Sequence, residues 1–163
     1  MRASLMTPSP ATAAVRVRRA ELSDLDDLVA LEHATFDHDQ ISRAQFRRHL
    51  DSDTARVLIA SANHRRFLGT ALVFFRKGSR AARLYSIASL PEARGKGVGT
   101  ALIEAVEGVA RQRRCQWVRL EVRTDNDAAV RLYERLGYRR AGPVLKGFYE
   151  DGTDAFRFEK SLA

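Results

Sequence analysis

A glycine-rich turn between an apolar segment and an amphipathic segment constrains this chain more than any other feature. The apolar segment ends near Leu90, and the turn Arg94–Thr100 holds three glycines. Leu102, Val106 and Val109 then fall on one face of a predicted helix. The first amides of a helix have no acceptor within the helix, and glycines let a ligand approach the backbone. A strand, a glycine turn and a helix in this order therefore predict an anion-binding site.

Two common phosphate-binding motifs do not match this turn. A P-loop needs Ser or Thr after its lysine, but Lys96 is followed by Gly97. A dinucleotide fingerprint starting at Gly95 needs glycine at its sixth position, where the chain has Thr100. Arg94 and Lys96 add two positive charges, which favours a phosphate ligand over the alternative that the turn only connects two elements.

The segment from Arg94 to Gly99 resembles the signature of the GNAT acetyltransferase superfamily, in which Arg or Gln is followed by two residues, Gly, one residue, and Gly or Ala. In that family the amides of this loop bind the pyrophosphate of acetyl-coenzyme A. The resemblance therefore implies acetyl-CoA as the acetyl donor and coenzyme A as a product. The cofactor-binding residues it implies are Ile87, Ala88, Ser89, Arg94, Gly95, Lys96, Gly97, Val98, Gly99, Thr100, Asn126 and Tyr133.

The resemblance continues through the run LEVRTDNDAAVRLYERLGY, which is similar to the acceptor half of the family. Residues 116–122 alternate as a strand, and Glu121 lies on the face away from its core residues. Asp125 or Asn126 is suited to cap the helix that follows. This run of the sequence most resembles the ribosomal-protein alanine N-acetyltransferase branch, which acetylates the α-amino group of a protein N-terminus. The catalytic pair of that branch falls on Glu121 and Tyr133.

Acetyl transfer to an amine needs the chemistry that these residue types supply. Free amines are mostly protonated at neutral pH, so Glu121 is the candidate base, acting directly or through a water. By resemblance, a backbone amide of Ile87–Ser89, beside a sheet bulge, would stabilise the developing oxyanion. Tyr133 is the candidate acid for the coenzyme A thiolate, and Asn126 would hold the cofactor arm. We expect direct transfer in a ternary complex, with Cys115 a packing residue and not a nucleophile.

The fold predicted is a mixed α/β (α+β) single domain of the GNAT type over residues 15–163. Its mixed sheet has about six to seven strands, begins with an antiparallel meander, and is flanked by about four helices. Residues 1–14 read as a disordered tail, with Met6 as an alternative start. Helices are predicted over 24–35 and from Ser42, each after a capping signal, Ser23 with Asp26 and Ser42 with Gln45. The meander strands are predicted as Arg56–Ser61, Phe67–Phe75 and Arg83–Leu90.

The charge of the chain favours an anionic partner but does not identify it. Lys and Arg number 28 and Asp and Glu 20, a net charge of +8. Nucleic acid, an anionic membrane surface and a phosphorylated cofactor all fit this charge. No helix-turn-helix, RNA-recognition or zinc spacing is visible, no apolar run reaches the ~20 residues of a membrane span, and the four histidines show no metal spacing. One cysteine is typical of a cytoplasmic protein.

Several functional hypotheses stay open at this point. The first is acetyl transfer to a protein or peptide amine. The second is acetyl transfer to a small amine such as a polyamine, an amino acid or an antibiotic. A non-catalytic acetyl-CoA binder and a basic nucleic-acid-binding module are further alternatives. The sequence leaves a homodimer open as well, because GNAT folds often dimerise.

Overall fold

One mixed eight-stranded sheet organises the described part of the chain. The computed structural model describes residues 2–4, 14–62, 65–95 and 97–163. The strands are β1 (Arg2–Ser4), β2 (Arg16–Arg19), β3 (Ala55–Ala62), β4 (Arg65–Phe75), β5 (Ala81–Ser89), β6 (Trp117–Arg123), β7 (Arg139–Arg140) and β8 (Ala155–Ser161). They lie in the order β2-β3-β4-β5-β6-β8-β7, and β1 pairs with β5.

The strand directions confirm the predicted fold class. Strands β2 to β5 form an antiparallel meander. The chain then crosses over through helix α3 (Val98–Gln112), so that β6 lies parallel to β5. Strand β4 begins at Arg65, two residues before its predicted start, because Arg65 already pairs with Ala62. The turn residues Asn63 and His64 lie outside the described residues.

Three further helices flank the sheet, as predicted. They are α1 (Leu25–Thr35), α2 (Arg43–Leu50) and α4 (Asp127–Arg135). The capping box before α2 is confirmed, since Ser42 and Gln45 exchange side-chain and backbone hydrogen bonds of 2.8 and 3.1 Å. The box predicted at Ser23 and Asp26 is wrong. It lies at Glu21 and Asp24, because a 3₁₀ turn precedes α1 and the Asp24 carboxylate also pairs with Arg18.

Apolar residues cover both faces of the sheet. One core cluster lies beneath α3 and α4 and includes Leu84, Leu120 and Tyr133. A smaller cluster lies beneath α1 and α2 and includes Leu28, Phe46 and Ile59. Strand residues on the opposite side of the sheet from the first cluster therefore pack against α1 or α2 or are exposed to solvent. No helix in the described ranges is long and apolar enough to cross a bilayer.

The N-terminal residues depart in part from the predicted tail. Arg2–Ser4 form strand β1, parallel to β5, with Arg2 beside Ser86 and Ser4 beside Ala88. The composition of this segment favours disorder, but an open strand edge offers backbone partners that local sequence does not reveal. This strand accounts for the sheet having more strands than predicted. Residues 5–13 lie outside the described residues.

Candidate active site

A wedge-shaped cleft opens where β5 and β6 stop pairing. Their parallel ladder runs from Ala81 opposite Trp117 to Leu84 opposite Leu120 and ends there. The register of β4 against β5 shifts at this level, which leaves Tyr85 as the extra residue of a bulge. A bulge bends the strand that carries it and increases its local twist. Beyond it, the last residues of β5 and β6 diverge and expose backbone groups to the cleft.

The glycine turn closes one end of this cleft. A 3₁₀ turn, Pro91–Ala93, follows β5, and helix α3 begins at Val98. Gly95 and Gly97 adopt left-handed φ angles of 82° and 78°, which side chains disfavour. The first intrahelical bond of α3 is donated by the Ala101 amide to Gly97. The preceding amides, of residues 98–100, therefore have no acceptor within the helix, as predicted for an anion site. Lys96 lies outside the described residues.

Gly69 on β4 allows β5 and α3 to approach each other closely. A Cβ at position 69 would lie 2.6 Å from the Ala88 carbonyl oxygen and 3.0 Å from Val98 Cγ1. We expect Gly69→Ala to lower the free energy of unfolding by about 1–3 kcal/mol, because the strand or the helix must shift. Gly108→Ala is the matched control, since a Cβ there meets nothing within 4 Å. It should raise the free energy by about 0.5–1 kcal/mol. Urea unfolding measures both, and an unchanged Gly69→Ala would contradict the close approach.

Glu121 lies on the face of β6 that was predicted, but it is not solvated. Its side chain is 2% exposed and contacts two guanidinium groups. Glu121 Oε1 accepts from Arg83 Nε at 3.0 Å and contacts Arg83 Nη2 at 2.7 Å, and Oε2 accepts from Arg157 Nε at 3.3 Å. A carboxylate has about four lone-pair sites, so these contacts leave about one for another donor.

Tyr133 lies in the core on the helix side of the cleft. Its ring is fully buried and packs edge-on against the Tyr138 ring, with centroids 5.7 Å apart. Burial, and then the nearby Tyr149, raise the pKa of the Tyr133 hydroxyl well above its usual value. The Tyr133 hydroxyl therefore keeps its proton throughout the physiological pH range.

Tyr149 interacts electrostatically with both Glu121 and Tyr133. Burial and then the charge of Glu121 raise the pKa of Tyr149, and Arg123 opposes this. The Arg123 guanidinium lies 5.1 Å from the Tyr149 ring centre and binds Asp151 and Thr153, at 2.6 and 2.7 Å. The loop before β8 is thereby tied to the end of β6 and forms one wall of the cleft.

Asn126, one of the two capping residues predicted, caps α4 and also reaches into the cleft. Its Oδ1 accepts from the Ala129 amide at 3.2 Å, and its Nδ2 donates to the Ala3 carbonyl at 3.1 Å. The backbone of Ile87–Ser89 lines the opposite side of the same gap, where Ile87 and Ala88 pair with β1. The described residues named by the resemblance thus surround one cleft. Cys115 is partly buried against the core at the other end of the sheet.

Arg83, Tyr85, Tyr149 and Arg157 are neighbours of the cleft that were not predicted as site residues. Arg83, like Tyr85, belongs to the outward-facing alternation of β5, and Arg157 lies opposite Glu121 on β8. Alternation within each strand was visible in the sequence. The register that places the strands beside one another was not visible in the sequence.

Comparison with known proteins agrees with this geometry. Residues 22–138 match the profile of the Acetyltransferase (GNAT) family. This chain belongs to the GNAT acetyltransferase family. An N-alpha-acetyltransferase of Saccharolobus solfataricus is 39% identical over 84 residues, 51% of this chain and 50% of the relative. One of Sulfurisphaera tokodaii is 28% identical over 152 residues, 86% of this chain and 89% of the relative.

A solved structure extends the comparison to nearly the whole fold. The ribosomal-protein-S18-alanine N-acetyltransferase of Escherichia coli superimposes with a TM-score of 0.79 at 24% identity, over 92% of this chain and 95% of that one. At this identity the likeness shows the fold. The chain spans about half the length of the first curated relatives it matches.

Proposed function

We propose that this chain transfers an acetyl group from acetyl-CoA to the α-amino group of a protein or peptide N-terminus. The observation that carries the proposal is the cleft between β5 and β6, with the glycine turn at its end and Glu121 and Tyr133 beside it. The N-alpha-acetyltransferase names of the relatives and the LEVR and LYE segments support the choice of an α-amine.

The cleft fits an extended donor arm with a phosphate at its end. Strand β1 stands in for such an arm, since its backbone pairs with Ile87 and Ala88 and its Ala3 carbonyl accepts from Asn126. Pantetheine also carries amide groups along an extended chain, so the same partners suit it. The amides of residues 98–100 and the Arg94 side chain would bind the phosphates of acetyl-CoA at the helix N-terminus.

Acetyl-CoA supplies an activated acetyl thioester, and the residues of the chain supply the proton transfers. Glu121 takes the proton of the attacking amine. Because both of its carboxylate oxygens already pair with guanidinium groups, proton transfer through a water is favoured over direct transfer. A backbone amide of Ile87–Ser89 stabilises the negative charge that develops on the carbonyl oxygen. The Tyr133 hydroxyl gives its proton to the leaving sulfur, and burial, which raises the pKa of this hydroxyl, keeps it protonated until then. The new C–N bond and the broken C–S bond balance without a covalent enzyme intermediate.

The proposal is tested in two steps. Isothermal titration with acetyl-CoA and with coenzyme A measures whether the cleft binds the donor. A thiol-release assay then compares an octapeptide that has a free α-amine with the same peptide blocked by Nα-acetylation, each carrying one lysine, and with spermidine. We expect turnover with the free peptide alone. Equal turnover with the blocked peptide or with spermidine would show that the acceptor is a side-chain amine or a small amine. Absence of acetyl-CoA binding would overturn the proposal.

A further inference from the structure

The cleft already holds a segment of the chain itself. Residues Arg2–Ser4 lie along β5 in the position that the proposed donor arm would take, and Asn126 donates to the Ala3 carbonyl. Because both occupants need the same backbone groups of Ile87 and Ala88, they exclude each other. Under the proposed function, the cleft therefore binds donor only after β1 withdraws.

The Arg2 side chain shows what the acceptor side of the cleft recognises. Arg2 is 7% exposed and forms an ion pair with Glu32, which is 3% exposed. Its guanidinium carbon lies 4.1 Å from the centre of the Phe36 ring and 5.8 Å from that of Tyr85. A buried carboxylate and two aromatic rings that contact the same guanidinium form a combination that favours a cation.

Withdrawal of β1 leaves this pocket with an uncompensated charge. Glu32 Oε2 also accepts from the Ile41 amide at 2.7 Å, and among the described residues that amide is its remaining donor once Arg2 leaves. Burial raises the pKa of Glu32, while Arg2 and the Ile41 amide oppose the shift. Glu32 then faces the vacated space as a carboxylate with one described donor, so a ligand that brings a cation is favoured at this point.

We propose that Glu32, Phe36 and Tyr85 form a subsite that binds a basic side chain of the acceptor peptide, arginine in preference to lysine. This inference rests on the proposed function. A planar guanidinium can lie against a ring while it donates to a carboxylate, as Arg2 does, whereas an ammonium group is compact and more strongly hydrated. The Nε and Nη1 atoms of Arg2 have no hydrogen-bond partner among the described residues. The guanidinium of an acceptor peptide can therefore form more hydrogen bonds at this site than Arg2 does.

The charges around the pocket agree with a cationic ligand. Arg2, Arg83, Tyr85 and Tyr149 line a cavity of about 220 Å³ together with Asp39 and Glu150. A hydrogen bond between the carboxyl groups of Asp39 and Glu150 raises the pKa of Glu150. The Arg83 charge is offset by its ion pair with Glu121, so Asp39 and Glu150 make the cavity attractive to a cation once Arg2 withdraws, although the chain as a whole carries +8.

The experiment compares arginine with citrulline, its neutral isostere, at each of the first three positions of an octapeptide with a free N-terminus. Binding is measured by isothermal titration to the full chain saturated with coenzyme A, which needs no turnover. Transfer from acetyl-CoA is measured separately as released thiol. We expect at least one arginine peptide to bind about tenfold more tightly than its citrulline partner. Glu32→Gln should abolish that preference, whereas Glu104→Gln, an exposed glutamate on α3, should keep it.

The outcomes separate this inference from the proposed function. Turnover with equal arginine and citrulline affinities at all three positions overturns the subsite and leaves the function standing. An arginine preference without turnover on any peptide supports the subsite and counts against the function. If Glu32→Gln does not fold, Phe36→Leu takes its place, because it removes the ring below the cation and keeps the carboxylate. An unchanged arginine preference in that variant would also overturn the subsite.

Discussion

Replacing Gly97 with glutamate is expected to weaken acetyl-CoA binding by a hundredfold or more while the chain stays folded. The new carboxylate would lie beside the amides at the start of α3, which would donate hydrogen bonds to it in place of a phosphate. A hundredfold loss corresponds to about 2.8 kcal/mol of binding free energy. Isothermal titration of the purified variant measures the effect directly.

Gly78→Glu is the matched control for this change. Gly78 has a φ of 82°, close to the 78° of Gly97, and a Cβ there meets nothing within 4 Å. Both substitutions therefore impose the same left-handed strain, of roughly 1–2 kcal/mol. Gly78 lies in the turn between β4 and β5, so its variant should bind acetyl-CoA normally. Equal affinities in the two variants would show that the glycine turn is only a connector.

Tyr133→Phe is expected to lower kcat by about a hundredfold, with acetyl-CoA affinity changed by less than about twofold. The substitution keeps the buried ring and removes the proton donor. A stopped or continuous thiol-release assay measures kcat, and isothermal titration measures the affinity for acetyl-CoA. Full activity in this variant would remove Tyr133 as the acid.

Tyr138→Phe controls for the loss of a buried hydroxyl. Tyr138 packs against Tyr133, but its hydroxyl donates to Glu107 on α3 at 2.8 Å, away from the cleft. Its loss should lower the free energy of unfolding by about 1 kcal/mol and leave kcat unchanged. A parallel fall in kcat in both variants would indicate that packing, and not proton donation, explains the effect at Tyr133.

Local patterns predicted most of the elements and the position of the cleft. The Ser42 cap and the Asn126 cap depend on residues within a few positions of one another, so a sequence displays them. The crossover through α3 follows from the change from meander to strand–helix–strand. These features together place the glycine turn at the end of β5.

The electrostatic partners of the site could not be predicted in the same way. Arg83 and Arg157 lie 38 and 36 residues from Glu121, and the registers of β5 and β8 against β6 bring them together. Register depends on pairing between distant segments. Arg2 is similar, since it meets Glu32 only because β1 lies against β5. A glutamate predicted as an isolated base is thus a member of a three-residue charge cluster.

The short ladder between β5 and β6 divides the molecule into two pieces that are each continuous in sequence. Strands β2 to β5 lie on one side of it and β6, β8 and β7 on the other, and four residue pairs join them within the sheet. The phosphate turn belongs to the first piece, whereas Glu121, Asn126 and Tyr133 belong to the second. Neither piece contains a complete set of reacting groups, so chemistry depends on their assembly. Under the proposed function, a substitution that separates β5 from β6 along this ladder would lower activity although the residues assigned to the substrates are unchanged.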